Sequence, residues 1–257
     1  MPAPYHAEIA DFNSDGIDDI FIASFGVPYL NEDNTNYWEP YPHLILMSNN
    51  GIHENIEILQ NEPALQDNLA TANNFAHDSS SGDVDGDGNI DVFMNAVLYF
   101  SDGQGNFDIV GLNQKDYMDQ WGGGKEKVDK THAHASTIGD YNNDGIDDLV
   151  IFWSDIVTEE NEWGARNWNN ILLGPIDKTN PTYLDSDEWG RLPEPFYGPD
   201  NANYNDAESG DINGDGFDDI VVGSTRKNPY YAGRHVQILI SNGDGTFNDE
   251  TDTRFVD

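Results

Sequence analysis

Asp211-Ile212-Asn213-Gly214-Asp215-Gly216-Phe217-Asp218-Asp219 runs straight into the apolar stretch Ile220-Val221-Val222, and this junction decides how the chain is read. The same nine-residue pattern recurs as Asp11-Phe12-Asn13-Ser14-Asp15-Gly16-Ile17-Asp18-Asp19, as Asp83-Val84-Asp85-Gly86-Asp87-Gly88-Asn89-Ile90-Asp91, and as Asp140-Tyr141-Asn142-Asn143-Asp144-Gly145-Ile146-Asp147-Asp148. A small residue precedes every copy: Ala10, Gly82, Gly139 and Gly210. A short β-branched or aromatic run follows every copy, namely Ile20-Phe21-Ile22, Val92-Phe93-Met94, Leu149-Val150-Ile151 and Ile220-Val221-Val222. Apolar runs this short, closed by turn residues, predict buried strands.

The nine-mer has the chemistry of a hard-cation loop. Side-chain oxygens at positions 1, 3 and 5, a backbone carbonyl at 7 and a carboxylate at 9 suit one Ca²⁺, and Gly at 6 permits the turn that folds them inward. The expected ligands are therefore Asp11, Asn13, Asp15, Ile17 (carbonyl) and Asp19 in the first loop, with Asp83, Asp85, Asp87, Asn89 (carbonyl) and Asp91 in the second. Asp140, Asn142, Asp144, Ile146 (carbonyl) and Asp148 serve the third, and Asp211, Asn213, Asp215, Phe217 (carbonyl) and Asp219 the fourth. Position 12 is apolar in all copies (Ile22, Met94, Ile151, Val222), so neither the bidentate Glu of an EF-hand nor a dockerin-type Asp is present. The plainer alternative is that Asp-Gly segments are ordinary hairpin turns. Four copies in one context favour about four structural Ca²⁺ sites.

Composition bounds the partners. The 257 residues carry 48 Asp and Glu against 11 Lys and Arg, a formal charge of -37. That excludes a nucleic-acid binder working by phosphate neutralisation and disfavours an anionic membrane surface. Four divalent cations leave most of this charge in place, so the acidity has a further cause. With 37% hydrophobic and 12% aromatic residues the chain has the material for a folded core. The absence of cysteine removes disulfides, thiolate zinc sites and cysteine nucleophiles. No apolar run approaches the roughly 20 residues of a membrane helix, so no membrane insertion is expected. No secretory leader is read in Met1-Pro2-Ala3-Pro4.

The segments Tyr5-His6-Ala7-Glu8-Ile9-Ala10-Asp11 and His77-Asp78-Ser79-Ser80-Ser81-Gly82-Asp83 resemble FG-GAP/VCBS repeats of the integrin-type β-propeller family. So do the turns Asp102-Gly103-Gln104-Gly105-Asn106-Phe107 and Asn242-Gly243-Asp244-Gly245-Thr246-Phe247. The turn is degraded at Asn49-Asn50-Gly51 and replaced by Leu173-Gly174-Pro175 in the third unit. The resemblance covers about half of the chain and implies an all-β propeller of four-stranded antiparallel blades. The approximate blade units are 1–60, 75–112, 132–184 and 204–257, forming a single domain or a fragment of one. Members of the integrin type commonly have about seven blades, so the chain is expected to be either part of a larger propeller, with other blades or domains as partners, or a four-bladed variant.

The resemblance places each acidic loop between the first and second strands of its blade. Alternation then puts short connections at the loop end and the long segments 25–42, 61–76, 111–132, 154–168, 185–204 and 225–234 at the opposite end. Those segments hold Trp38, Trp121, Trp163, Trp168, Trp189, Tyr197, Tyr204, Tyr230 and Tyr231. Aromatic loops on a rigid scaffold suit recognition of a glycan or protein partner; the alternative is that these rings pack beneath the loops. Arg166, Arg191, Lys227 and Arg234, scarce cations in the same segments, either hold an anionic ligand or neutralise nearby carboxylates. Six residues before the acidic loops stand Tyr5, His77, His134 and Asn205, and five before stand His6, Asp78, Ala135 and Asp206. At about 3.3 Å per residue these lie roughly 20 Å from the loops, where His6, His77, His132, His134 and Asp206 are candidates for a second metal or for acid–base work.

Three functions follow. The first is a calcium-stabilised binding module of an extracellular, periplasmic or cell-surface protein, because such sites fill at extracellular calcium levels. The second is a carbohydrate-active enzyme of the polysaccharide lyase or hydrolase kind using the axial His and Asp groups, and the third a purely structural repeat. No compact catalytic signature supports the second.

Overall fold

The computed structural model describes residues 3–25, 27–30, 36–39, 44–49, 52–57, 78–94, 97–111, 133–153, 169–179, 190–198 and 201–255. The first sheet is formed by β1 (Ala3–Ala10), β2 (Asp19–Phe25), β5 (Leu44–Asn49) and β6 (Ile52–Glu57), with a separate hairpin of β3 (Val27–Leu30) and β4 (Asn36–Glu39) between β2 and β5. The second contains β7 (Ser80–Gly82), β8 (Asp91–Met94), β9 (Val97–Ser101) and β10 (Phe107–Gly111). The third contains β11 (Ala133–Gly139), β12 (Asp148–Trp153), β13 (Asn170–Leu172) and β14 (Gly190–Arg191). The fourth contains β15 (Ala202–Gly210), β16 (Asp219–Arg226), β17 (Ala232–Ser241) and β18 (Phe247–Asp249), followed by the short helix α1 (Thr251–Arg254).

Each sheet is a meander of sequential strands with its acidic nine-mer between the first and second, as the repeat predicts. The four apolar runs are second strands. Val92, Phe93 and Met94 are fully buried, as are Leu149, Val150 and Ile151, so both faces of these second strands are covered. In three sheets the small residue before the loop is the cross-strand partner of position 9: Ala10 of Asp19, Gly139 of Asp148, Gly210 of Asp219.

Contacts divide the chain into two compact units, Met1–Ser81 with Asn89–Lys127, and Gly82–Gly88 with Val128–Asp257. The first unit is built around Phe12, Phe21, Val92, Met94 and Tyr99, with Phe21 and Tyr99 edge to face. The second is built around Tyr141, Phe152, Ile171, Tyr204, Val222 and Leu239.

Within each unit the same joint links one sheet's acidic loop to a neighbouring sheet. The position-2 side chain plugs the core: Phe12, Val84 and Tyr141 are fully buried. Its carbonyl accepts a hydrogen bond from the end of a third strand or the residues just beyond it, Phe12 from Ser101 Oγ at 3.0 Å, Tyr141 from Ser241 Oγ at 3.2 Å, and Val84 from the Ile176 N–H at 2.7 Å. The Phe that closes each Gly-x-Gly-x-Phe turn packs edge-on against that plug, Phe107 on Phe12 at 6.0 Å and Phe247 on Tyr141 at 5.3 Å between ring centroids. The sequence motif is therefore an inter-sheet clasp as much as a hairpin turn.

Two connections depart from the expected sorting. In the third sheet β13 ends at Leu172 and β14 begins at Gly190, so a long connection leaves from the acidic-loop end, where a short turn is expected. The cause is local: Pro175 has no N–H for a tight hairpin, and the next donor, Ile176, is committed to Val84. In the second sheet only residues 95–96 separate β8 from β9, so that sheet has no long segment there.

Gly243 illustrates how closely the turns fit. Its φ is +72°, and a Cβ would stand 2.8 Å from the Phe217 ring, whereas Gly214 has φ +80° with open space around it. Gly214→Ala should cost about 1–2 kcal/mol for the left-handed backbone alone, and Gly243→Ala about 1–3 kcal/mol more for crowding. Equal losses in paired denaturant melts would contradict this packing.

Candidate functional site

The acidic nine-mers share one hydrogen-bond lattice. The position-1 carboxylate accepts the position-5 N–H through Oδ1 and the position-6 glycine N–H through Oδ2: Asp11 from Asp15 (3.0 Å) and Gly16 (2.7 Å), Asp83 from Asp87 (3.1 Å) and Gly88 (2.9 Å). Asp140 does the same with Asp144 (3.0 Å) and Gly145 (2.9 Å), and Asp211 with Asp215 (3.1 Å) and Gly216 (3.0 Å). Position 3 accepts the position-5 N–H as well: Asn13 from Asp15, Asp85 from Asp87, Asn142 from Asp144 and Asn213 from Asp215. Each loop thus turns its oxygens inward with its own amides. In the continuous second loop, oxygens of Asp83, Asp85 and Asp91 lie within 4.8 Å of one another. Lys178 Nζ lies 3.9 Å from Asp85 Oδ2.

Position 9 is the most buried. Asp19, Asp91, Asp148 and Asp219 have no exposed surface. Oδ2 accepts the position-2 N–H, from Phe12 (2.9 Å), Tyr141 (3.0 Å) and Ile212 (3.0 Å) to Asp19, Asp148 and Asp219 respectively. Oδ1 accepts an N–H at or just past the end of the third strand, from Ser101 to Asp91, Gly174 to Asp148 and Ser241 to Asp219, each at 2.9 Å. Burial raises the Asp148 carboxyl to about 6 against these bonds. A carboxylate has lone pairs to spare after two such bonds, so the position remains open to a cation.

Position 8, not chosen from the sequence as a site residue, connects loops in the second unit. Asp147 Oδ2 accepts the Asp83 N–H at 2.8 Å, and the Asp147 N–H donates to the Asp83 carbonyl at 3.1 Å. The small residues before the loops make room for this acid: a Cβ on Gly82 would lie 2.6 Å from Asp147 Oδ2, and one on Gly139 would lie 2.9 Å from Asp218 Oδ2. Gly210 has nothing within 4 Å. In the first unit the second loop carries Ile90 at position 8, and Ala10 and Ile90 pack on one apolar cluster instead. The signal was in the sequence as a reciprocity between Gly before one loop and Asp at position 8 of the next.

The histidines have separate surroundings. His77 and His132 lie outside the described residues. In the first unit, His6 Nδ1 sits 3.0 Å from Asp78 Oδ1, 3.1 Å from the Ser79 carbonyl and 3.3 Å from Glu8 Oε1, while Ser79 and Ser81 hydroxyls donate to Glu8. The Asp78 and Glu8 carboxylates raise His6 to about 11 against partial burial. In the second unit His134 is buried with Nδ1 3.1 Å from the Tyr204 carbonyl, and Asp206 is exposed on β15. Pairing in β1, β11 and β15 slips at one equivalent point, between Pro4 and His6, Ala133 and Ala135, and Tyr204 and Asp206. The residue bypassed is the one six before the loop, so a bulge falls at Tyr5 and re-aims His134 and Asn205.

Of the aromatic candidates, Trp121, Trp163, Trp168 and Trp189 lie outside the described residues, and Trp38 stands on β4 opposite Pro28. Tyr204 is core: it is buried, accepts from Asn169 Nδ2 at 2.6 Å and packs on Phe152. Tyr230 and Tyr231 are 71% and 40% exposed at the β16–β17 turn. Beside that hairpin in the second unit stand Phe196 and His235, which the sequence reading did not select. Their rings stack at 3.5 Å with a 12° interplanar angle.

The class these features define is a β-rich chain of blade-like sheets with an FG-GAP repeat: residues 204–234, which span β15, the fourth acidic loop and β16, match the FG-GAP repeat. The chain is also similar to the crystal structure of the V. cholerae biofilm matrix protein Bap1, at 15% identity and a TM-score of 0.35, over 96% of this chain and 39% of that one. It thus spans well under half of that protein's length. None of the curated protein sequences matches it. Among the described residues no helix is long and apolar enough to cross a membrane.

The His6 pair gives a pH signature. A pKa raised above the unfolded 6.5 means that its stabilisation is fully present below 6.5 and is lost as pH rises through about 11. The ring should remain an imidazolium at pH 8.5 in ¹⁵N NMR, and a midpoint near 6.5 would contradict the pairing. His6→Ala should lower the Tm by a few degrees at pH 7.

Proposed function

We propose that the chain is a calcium-stabilised β-propeller module, whole or partial, of an extracellular or cell-surface protein, which binds a glycan or protein partner through exposed aromatic connections. The observation that carries this is the fourfold lattice in which each loop's own amides turn its acidic side chains inward. The donor set fits a hard cation: side-chain oxygens at 1, 3 and 5, the carbonyl at 7 and the carboxylate at 9, with no nitrogen or sulfur ligand. Such a cation would supply charge neutralisation to the clustered carboxylates. The residues themselves set the cage in advance, position 9 by burial and positions 1 and 3 by N–H bonds. Sites of this class fill at extracellular calcium levels, with Kd about 10⁻⁴ to 10⁻³ M, which supports the compartment. The catalytic alternative has less support, since His6 and His134 are engaged in structural contacts with Asp78, Glu8 and the Tyr204 carbonyl.

Calcium at about 100 times Kd stabilises the native state by about 2.7 kcal/mol per site. Excess chelator should therefore lower the Tm by about 10 °C or more, and restoring Ca²⁺ should recover it. Titration calorimetry should count about four Ca²⁺, reduced by one in Asp211→Ala. A melting curve indifferent to chelator would overturn the proposal.

A further inference from the structure

The β16–β17 hairpin is anomalous in charge. In a chain with 48 acidic residues, positions 220–243 contain no Asp or Glu, yet they hold Arg226, Lys227, Arg234 and His235. The hairpin's own charges are therefore opposite in sign to those of the chain, and within a Debye length of about 8 Å nearby charges weigh most on a ligand.

The same hairpin and the segment beside it present flat rings. Phe196 is 59% exposed while stacked on His235, and Tyr197 stands edge-on to Phe196 at 5.0 Å. Arg226 lies 4.9 Å above the Tyr197 ring, an arrangement that holds the guanidinium at the platform. Gly233, at φ +74°, leaves the space that Tyr197 OH occupies, since a Cβ there would be 2.6 Å away. The platform is fastened from below. Gln237 Nε2 donates to the Glu194 carbonyl (2.9 Å) and to Asp249 (2.7 Å), and the Lys227 and Asn228 N–H groups donate to Asn201, each at 2.8 Å. Asp249, the carboxylate that interacts with His235, also accepts from Thr251 N and Oγ1.

We propose that this surface, Phe196, Tyr230 and Tyr231 with Arg226 and Arg234, binds a short carboxylated sugar of the uronic-acid type. The inference rests on the reading of the chain as a binding module and names the ligand chemistry. Pyranose C–H faces stack on exposed rings, and a guanidinium fork takes a planar carboxylate in two hydrogen bonds. The charge of -37 disfavours a long polyanion, so the occupant is an oligosaccharide or a chain end. A neutral sugar would leave the cluster of cations without a role, and nucleic acid is opposed by the rest of the surface.

The test is titration calorimetry of the whole chain with trigalacturonate and with neutral galactotriose. Trigalacturonate should bind, galactotriose at least tenfold more weakly, and Phe196→Ala and Arg234→Gln should each weaken trigalacturonate about tenfold with the Tm unchanged. Arg254→Gln, which removes the same charge at α1 where Arg254 pairs with Glu250, should leave affinity intact. Equal losses in Arg254→Gln and Arg234→Gln would reduce the effect to net charge and overturn the proposal. Equal binding of the neutral sugar, or binding indifferent to both hairpin variants, would overturn it while leaving a sugar-binding module in place. No binding of either sugar by a chain that still melts in a calcium-dependent way would overturn the ligand assignment alone. Loss of calcium dependence would remove the reading beneath it.

Discussion

A fully buried carboxylate held by main-chain N–H groups is the constraint around which each sheet is arranged. An ion is expensive to bury unless its oxygens are bonded, and position 9 meets this with main-chain donors from two directions. Asp148 and Asp219 each take one N–H from their own loop and one from the end of the third strand or just beyond it. The result is a staple across three strands that is independent of side-chain fashion elsewhere. Removal of such an acceptor would leave two buried N–H groups unsatisfied, at about 1–3 kcal/mol apiece. Because the staple uses backbone on both sides, it also fixes where the loop begins and ends. The five expected ligand positions then share a frame before any cation arrives.

The frame is transmitted between neighbouring sheets by a second device, and it explains a sequence feature that otherwise reads as ordinary turn punctuation. Glycine before a loop leaves room for the next loop's position-8 acid, Asp218 beside Gly139 and Asp147 beside Gly82, where Ile138 comes closer still. Where position 8 is Ile90, Ala10 suffices. Asp147 bonds the first residue of another acidic loop in both directions. The loops of the second unit are thereby coupled mechanically, since the backbone of Asp83 is held by the side chain that adjoins Asp148. Burial, with the Asp83, Asp140 and Asp218 charges adding to it, raises the Asp147 carboxyl against this bond. Acid therefore weakens the inter-loop tie by loss of charge rather than by loss of packing.

What was legible follows from what repeats. A nine-residue pattern with a fixed apolar sequel gives the acidic loop, the second strand and the meander, because ligand spacing and strand period are both short-range properties. The inter-sheet clasp was visible only as the letters Gly-x-Gly-x-Phe; that Phe247 serves Tyr141 depends on contacts a hundred residues apart. The third sheet escaped the rule for a reason that is also local, Pro175 lacking the donor a tight turn needs. Aromatics were the hardest to sort. Tyr204 and Tyr230 share a residue type and a neighbourhood of long connections, yet one is core and the other is surface. The difference is strand parity and the bulge before Asp206, neither of which composition records.

Charge distribution, unlike packing, can be read along the chain without a fold, and it separates the parts of this molecule by task. Acids concentrate in the nine-mers, where the backbone amides and the repeat give each a defined place. They vanish from the one hairpin where two tyrosines and three cations sit together. A general cause of acidity, such as solvation of the whole surface, would distribute Asp and Glu over every exposed strand and turn. Burial accounts for the missing acids in the strand segments 220–225 and 237–241, but the exposed stretch 226–236 needs a local cause. The hairpin's own stability does not supply one: exposed acids beside Arg226 and Arg234 would be neutral or mildly favourable. On the ligand assignment proposed above, the missing acids leave Arg226 and Arg234 to a carboxylate from outside the chain, and the rings beside them favour one carried on a sugar.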